Sequence, residues 1–343
     1  MENGVIMNKH EIAIVGGSGF VGSALARYFN KEFKVRVLDK NPLPKSIERK
    51  VEYQQCDIRN YDEVERELEN TDLVIHAAIV QIPLINEEKR LGYEVNVLGT
   101  QNVCRVVDEN PSIKGMILAG SWHLFGERGL EGVIDEGFGF RPDRVEDRAR
   151  LYAFSKIAQE TVVRFYDEMS EKIYGIIRMG TVLGEGMPEK TAANLFITKG
   201  LKGEPLTPYK HSMYRPMLYV DINDICAAFG AFVKKILGDE VQNGESSLAH
   251  VVNLCYPEPV TILELAMMIK DAIANYSENK IIPEVKIVET GQPDLFTAEN
   301  KDLIRVNVRK AIEFLGLKKL KSPKESVERI VKNRMLKQHK TNI

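Results

Sequence analysis

The sequence predicts an α/β protein: a doubly wound parallel sheet followed by a smaller, mixed α/β C-terminal lobe. Three observations carry that expectation. Short apolar runs alternate with helically spaced segments through the first half of the chain. A glycine-rich turn, Gly16-Gly17-Ser18-Gly19-Phe20-Val21-Gly22, stands between the first apolar run and the first helical segment. The length, 343 residues, suits one large α/β unit with an appended lobe.

Taken in order, Glu11–Val15 is an apolar run ending in glycines, and Ser23–Asn30 has helical spacing. Lys34–Leu38 alternates and ends at Asp39, and Val51–Gln55 is a third strand candidate. Tyr61–Glu69 is a charged helix with Val64 and Leu68 on one face. Leu73–His76 reads as a buried strand, and Glu87–Asn110 as one long helix with Val95, Leu98, Val103, Val106 and Val107 apolar. Gly115–Ala119 is a strand, Ala149–Ser170 a long helix, and Ile173–Ile177 closes the alternating series. The second half is less regular. Asn194–Lys202 is helical and stops at Gly203, and Met217–Val220 is a short strand. Asp221 is placed to cap a helix running to Ile236. His250–Leu254 is a strand. Thr261 and Glu264 have capping-box spacing at the head of a helix reaching Ala274, and Val308–Leu315 is a helix ending at Gly316. The lysine-rich tail from Lys318 reads as a solvated helix face or a frayed end, the alternative being a site for an acidic partner. The domain division expected from this pattern is an extension over 1–10, a dinucleotide-type domain over 11–178, a substrate lobe over 179–317 interleaved with the sheet, and a basic tail over 318–343.

Bulk properties exclude several classes. A formal net charge of −2 gives no whole-chain attraction to nucleic acid or to membrane surfaces. Four dispersed cysteines, with no CxxC pair, argue against a disulfide framework or a zinc site, so no metal is expected. No apolar run is long enough to span a bilayer. Met1-Glu2-Asn3-Gly4 lacks the order of a signal peptide, and Met7 is a candidate start. A cytoplasmic protein is the expectation.

The glycine turn is suited to a phosphate. A side chain on its first turn would block a pyrophosphate, while the backbone N–H groups and the helix N-terminus hold the negative charge. Gly16, Gly19, Phe20, Val21 and Gly22 are therefore expected at the cofactor. Asp39, at the end of the second strand, can accept from both ribose hydroxyls and would repel a 2′-phosphate, which favours NAD over NADP. Asp57 follows the third strand and either meets the adenine or is a simple turn aspartate. This pattern is Rossmann-like.

Tyr152 and Lys156 are four residues apart and share one face of a helix. A lysine ammonium beside a phenol favours the phenolate, which can take the proton of a substrate hydroxyl. Lys156 can also hold the nicotinamide ribose. Ser121 follows Met116-Ile117-Leu118-Ala119-Gly120, at the carboxyl end of a strand where ligands bind in open α/β sheets. Its hydroxyl can donate to the substrate oxygen. Ser121, Tyr152 and Lys156 are the catalytic candidates.

With these residues in order, the chain resembles the extended short-chain dehydrogenase/reductase family, of the NAD-dependent epimerase/dehydratase type. The resemblance runs from about Glu11 to Leu317. It is carried by the glycine loop, Cys56-Asp57-Ile58, His76-Ala77-Ala78, Asn96-Val97-Leu98-Gly99-Thr100-Gln101-Asn102, Ser121-Trp122-His123-Leu124-Phe125-Gly126 and Tyr152-x-x-x-Lys156. Arg178-Met179-Gly180-Thr181, Arg215-Pro216-Met217-Leu218-Tyr219-Val220-Asp221 and Glu258-Pro259-Val260-Thr261 continue it. The resemblance implies that Ile58, Ala77 and Ala78 line the cofactor, that Asn96 sits near the active-site helix, and that Met179 lies against the nicotinamide. It implies that Arg215 binds a substrate diphosphate, the alternative being an ordinary ion pair. His123, Thr181 and Asn194 are further candidates for substrate contact, with a structural histidine the alternative at His123. The family's 4,6-dehydratases need a Thr-Asp-Glu group after the strand, and Ser121-Trp122-His123 does not supply it. The charged stretch Arg141–Arg150 is either a solvated loop or an anion-binding flap. The stretch Thr290-Gly291-Gln292-Pro293-Asp294 lacks the arginine often found there.

The leading expectation is an NAD-dependent epimerase of a nucleotide sugar, acting at C4 of a UDP-sugar, with NAD regenerated in each turnover. The alternative is an NAD-dependent dehydrogenase or reductase of a sugar acid or other non-nucleotide alcohol. A non-catalytic NAD-binding protein is a third reading, disfavoured by the complete Ser–Tyr–Lys set. The resemblance also implies a homodimer formed through Glu87–Asn110 and Ala149–Ser170.

Overall fold

The computed structural model describes residues 9–242, 244 and 246–341. Met7 and most of the expected 1–10 extension lie outside the described residues. The elements in chain order are β1 (Glu11–Val15), α1 (Phe20–Phe29), β2 (Lys34–Asp39), β3 (Glu52–Gln55), α2 (Tyr61–Glu67), β4 (Leu73–His76), α3 (Leu84–Glu87) and α4 (Lys89–Tyr93), then a π-helical turn over Glu94–Gly99 and α5 (Thr100–Glu109). There follow β5 (Gly115–Ser121), β6 (Gly132–Ile134), α6 (Arg150–Met169), β7 (Ile173–Met179), β8 (Thr181–Leu183), α7 (Ala192–Gly200), β9 (Pro216–Met217), β10 (Tyr219–Asp221) and α8 (Ile222–Leu237). The chain closes with β11 (Val251–Leu254), β12 (Val260–Thr261), α9 (Ile262–Tyr276), β13 (Ile304–Val306), α10 (Arg309–Glu313) and α11 (Pro323–Thr341).

Seven strands form one parallel sheet in the order β11-β7-β5-β4-β1-β2-β3. The order reverses between β1 and β4, and ligands of open α/β sheets bind at the carboxyl ends of the strands beside such a reversal. Register brings the predicted residues to that edge: Val15 pairs with Leu38 on one side and with His76 on the other, and Asp39 pairs with Gln55. The inner strands β1, β4, β5 and β7 are buried along their whole length because both faces of the sheet are covered there, whereas β2 alternates and β3, at the edge, is partly exposed. On one face, Ala13, Val15, Val74, Met116, Leu118 and Ile176 pack with Val103, Val107, Val163 and Tyr166 in a single buried cluster.

By contacts the chain divides into two compact units. One holds the residues through Gly120, Leu151–Ile177 and Phe229–Val251; the other holds Ser121–Arg150, Arg178–Ala228 and the residues from Val252 onward. A change of unit falls at Ile177/Arg178, beside the expected boundary at 178, while the loops of 121–150 belong with the C-terminal unit. In that unit β6 pairs in parallel with β13, and β9 with β12 in antiparallel.

Local chemistry explains the starts of two helices in this unit. Thr261 and Glu264 form the capping box that heads α9. Asp221 Oδ1 accepts from Asn223 N at 2.8 Å and caps α8. Two expectations change. The single helix expected over Glu87–Asn110 is broken at Glu88 and widened into a π turn over Glu94–Gly99. Side-chain bonds that compete with the helical backbone explain the widening: the Thr100 hydroxyl donates to Asn96 O at 2.8 Å, and Asn96 accepts from Val80 N at 2.7 Å. The basic tail is also more than a solvated face or frayed end. It forms α11, whose Val327, Ile330 and Val331 are buried and which packs along α9. Among the described residues no helix is long and apolar enough to cross a membrane.

Candidate active site

The glycine loop is shaped by close approaches. Gly16 has φ +81°, and a Cβ there would lie 2.4 Å from Ala78 N. A Cβ on Gly22 would lie 2.3 Å from Gly16 O, so the first turn of α1 closes directly onto the loop. Gly19 differs: its nearest neighbour to such a Cβ is Gly16 O at 3.4 Å, and it is exposed. No side chain caps α1 and no acid lies in its first turn. Its N-terminal N–H groups, with Phe20 and Val21 at the first two positions, are thus placed to bind an anion. Asp39 stands beside the loop, its Oδ2 accepting from Ser18 N at 3.0 Å and its Oδ1 from Asn41 N at 2.8 Å. The residues present fit a dinucleotide: a glycine cradle, an uncapped helix and an acid oriented by backbone N–H groups. Asp57 has the turn geometry of one of its two readings, its Oδ1 accepting from Arg59 N at 3.1 Å. Arg59 Nη2 binds its Oδ2 at 2.6 Å, and this hydrogen bond holds its carboxyl below the usual range. Ile58 is buried, and Ala77 N donates to Val15 O at 2.8 Å beside the loop.

Lys156 is buried, and its Nζ donates to Ala119 O of β5 at 2.8 Å. Burial pushes its ammonium down to about 7, against a smaller opposing effect of the Glu160 charge. Tyr152, half-buried, lies one helical turn earlier on α6. A network tied through β4 and the π turn holds this helix. Asn96 Nδ2 donates to Ser155 Oγ at 3.0 Å, and Ser155 Oγ donates to Tyr152 O at 2.8 Å. Asn96 is therefore found beside the active-site helix, with its amide bound to Val80 and Ser155.

Thr100, Gln159 and His76 continue the network; the sequence assigned none of them a role, although His76 and Thr100 lie within the motifs that carry the resemblance. The Thr100 hydroxyl gives its hydrogen to Asn96 O, so it accepts from Gln159 Nε2 and from His76 Nε2, each at 2.8 Å. That assigns the Nε2–H tautomer to His76. Burial pushes this imidazole down to about 3, and the Lys156 charge adds to the shift.

Ser121 ends β5, two residues beyond the carbonyl that Lys156 binds. Its Oγ lies 3.2 Å from His123 Nδ1 and accepts from His123 N at 3.3 Å. Trp122 Nε1 donates to Thr181 Oγ1 at 3.1 Å, so this candidate substrate residue already bonds to protein. Asn194 is engaged likewise: its Nδ2 donates to Met187 O at 2.8 Å, and its Oδ1 accepts from Arg334 Nη1 of α11 at 2.8 Å. Met179 is buried at the end of β7. Arg215 is buried and forms an ion pair with Glu146. The stretch Arg141–Arg150 is a structured loop. Arg141 donates to Arg128 O and Gly129 O at 2.8 and 2.9 Å, Arg150 pairs with Asp147, and Glu146 is buried.

A family model and several known proteins match this chain. The family model described as "NAD dependent epimerase/dehydratase family" matches residues 12–244. UDP-glucuronic acid decarboxylase 1 of Danio rerio is 25% identical over 288 residues, 81% of this chain and 64% of that protein. D-erythronate dehydrogenase of Haemophilus influenzae is 24% identical over 204 residues, 57% of this chain and 62% of that protein. The chain thus spans a little under two thirds of the length of these curated relatives. A structure of MoeE5 in complex with UDP-glucose and NAD superposes with a TM-score of 0.74 at 20% identity, covering 95% of this chain and 99% of that one, which shows the shared fold.

Proposed function

The chain belongs to the NAD-dependent epimerase/dehydratase family, and on that premise we propose that it is an NAD-dependent epimerase of a nucleotide sugar, acting at C4 of a UDP-sugar. The observation that carries the reading is Lys156, buried one helical turn from Tyr152 and bonded to β5 just before Ser121. NAD, when bound, supplies the hydride acceptor and donor. Gly16, Gly19, Phe20, Val21 and Gly22 would hold its pyrophosphate and Asp39 its adenosine ribose. Lys156 would reach the second ribose, with Ile58, Ala77, Ala78 and Met179 lining the site.

In this reading Tyr152 takes the proton of the substrate hydroxyl as general base and returns it to the epimeric alcohol. The Lys156 ammonium favours the phenolate form that does so. The Ser121 hydroxyl donates to the same substrate oxygen. When His123 Nδ1 carries the hydrogen, Ser121 Oγ accepts from it and keeps its own proton for the substrate. Elimination of water would call for an acid close after β5, but the first after Ser121 is Glu127, which is buried against Glu146. Incubation with NAD and a panel of UDP-sugars should give the 4-epimer without accumulation of NADH. A panel that yields no product from any nucleotide sugar would defeat the proposal.

A second reading, net dehydrogenation of a non-nucleotide alcohol, is favoured by one observation: Arg215 already has a carboxylate on its guanidinium. Its mark is NADH formed in proportion to product.

The proposal extends to assembly. Tyr93, Leu98, Phe154, Phe165 and Met169 are exposed along α4, the π turn and α6. Phe154, Phe165 and Met169 fall on one stripe of α6. Such a patch suits an isologous contact with a second copy, the homodimer that the resemblance implies.

A further inference from the structure

Arg215 stands in a buried cluster whose charges cancel. Glu146 faces its guanidinium through Oε1, and Arg148 Nε holds the other oxygen of that carboxylate at 3.0 Å. Glu127, also buried, accepts from Glu146 N at 3.3 Å, and its Oε2 has no hydrogen-bond partner among the described residues. Burial, and then the Glu146 charge, push the Glu127 carboxyl up; burial pulls Arg215 down. Arg215 Nε likewise lacks a hydrogen-bond partner among the described residues. Two arginines thus meet two acids, and the arginine that the resemblance places at a phosphate has a carboxylate against one guanidinium nitrogen, Nη2, in an ion pair rather than a two-point hydrogen-bonded fork.

We propose that Glu146 is a carboxylate built into the chain that holds the anion position of Arg215, so that a nucleoside diphosphate binds there only by exchange with it. This rests on the nucleotide-sugar reading of the site. A diphosphate added to the intact cluster would face the buried carboxylates of Glu146 and Glu127 with no net positive charge to meet it, which is unfavourable. Exchange removes that conflict. Arg148 is half exposed, 55% by side chain, and already holds one Glu146 oxygen. The carboxylate can therefore leave Arg215 and stay paired. Glu146 also sets a threshold for ligands. A single carboxylate gains nothing by replacing another, whereas a diphosphate brings more charge and more acceptor oxygens to the guanidinium. Glu146 is thus a specificity residue on the substrate side, in a loop whose arginines alone would suggest an anion flap.

The test is calorimetric titration of UDP into the NAD-loaded enzyme. Glu146→Gln is expected to bind UDP at least about tenfold more tightly than the unaltered enzyme, because no charge must be displaced. It should also gain more thermal stability from UDP. Arg148→Ala is expected to bind UDP several-fold more weakly, since displaced Glu146 then has no partner, and Arg215→Met to lose binding. If Glu146→Gln binds UDP no more tightly than the unaltered enzyme, while that enzyme binds it and Arg215→Met does not, the exchange is overturned and the nucleotide reading stands. If neither the unaltered enzyme nor Glu146→Gln binds UDP, the nucleotide reading falls and the exchange with it. Should Glu146→Gln not fold, Arg148→Ala decides, and unchanged UDP affinity there overturns the proposal.

Discussion

Lys156 shows how one residue links stability to chemistry. Its ammonium titrates near 7 in the fold, against 10.5 as an ordinary lysine. Below pH 7 both the folded and the unfolded chain hold this proton, and the fold bears the full cost of a buried cation. Between about 7 and 10.5 the unfolded chain binds a proton that the folded one has released, so stability from this group rises with pH. Lys156→Met should therefore stabilise the NAD-free protein at pH 7, on the order of a few kcal/mol, and the gap in urea midpoint between variant and unaltered protein should close as pH rises toward 10. A gap independent of pH would contradict the assignment. The same variant should lose turnover. Tyr152→Phe should keep the fold and NAD binding while turnover falls by about 10²–10⁴-fold, the usual weight of a general base. Tyr152, Lys156 and Asp39 were readable from local spacing. The roles of Glu146 and His76 were not, because each depends on a partner far along the chain: Arg215 for Glu146, and Thr100 for His76.

At the scale of elements, the join of β1 to α1 depends on missing side chains. A methyl group at Gly22 would collide with the backbone of Gly16, which no rotamer change can relieve. Gly22→Ala should lower NAD affinity at least about tenfold, by shifting the N-terminus of α1 away from the pyrophosphate, and should lower the melting temperature. Retained NAD affinity would mean that the loop yields. Gly19→Ala offers a contrast. Its Cβ meets only ordinary contacts, so the fold should tolerate it, and any loss should appear in NAD binding alone. Helix and strand identities were legible wherever periodicity was long, as in α6 and α9. The π turn was not, because Val95, Leu98 and Val103 keep helical spacing in sequence while side-chain bonds of Asn96 and Thr100 reshape the backbone. The packing of α11, read as a solvated helix face or a frayed end, was missed because its apolar residues are diluted by lysine and arginine. Their burial shows only against α9.

For the whole molecule, the exposed stripe on α6 makes a direct prediction. Light scattering should return twice the mass of one chain, and Phe165→Glu, at a side chain 67% exposed, should return one. A monomeric unaltered protein at micromolar concentration would refute the dimer. The sequence by itself determined the α/β class, the glycine cradle, the acid at Asp39 and the Tyr–Lys pair. These are local: a turn without side chains, a strand end and a four-residue helical spacing each act over one or two turns of chain. Tertiary structure alone decided which acids and bases neutralise one another. The resemblance puts Arg215 at a diphosphate, with an ordinary ion pair as the alternative, and Glu146 is one charge in a stretch read as a solvated loop or an anion-binding flap. Only folding removes both from water and makes of them one buried ion pair.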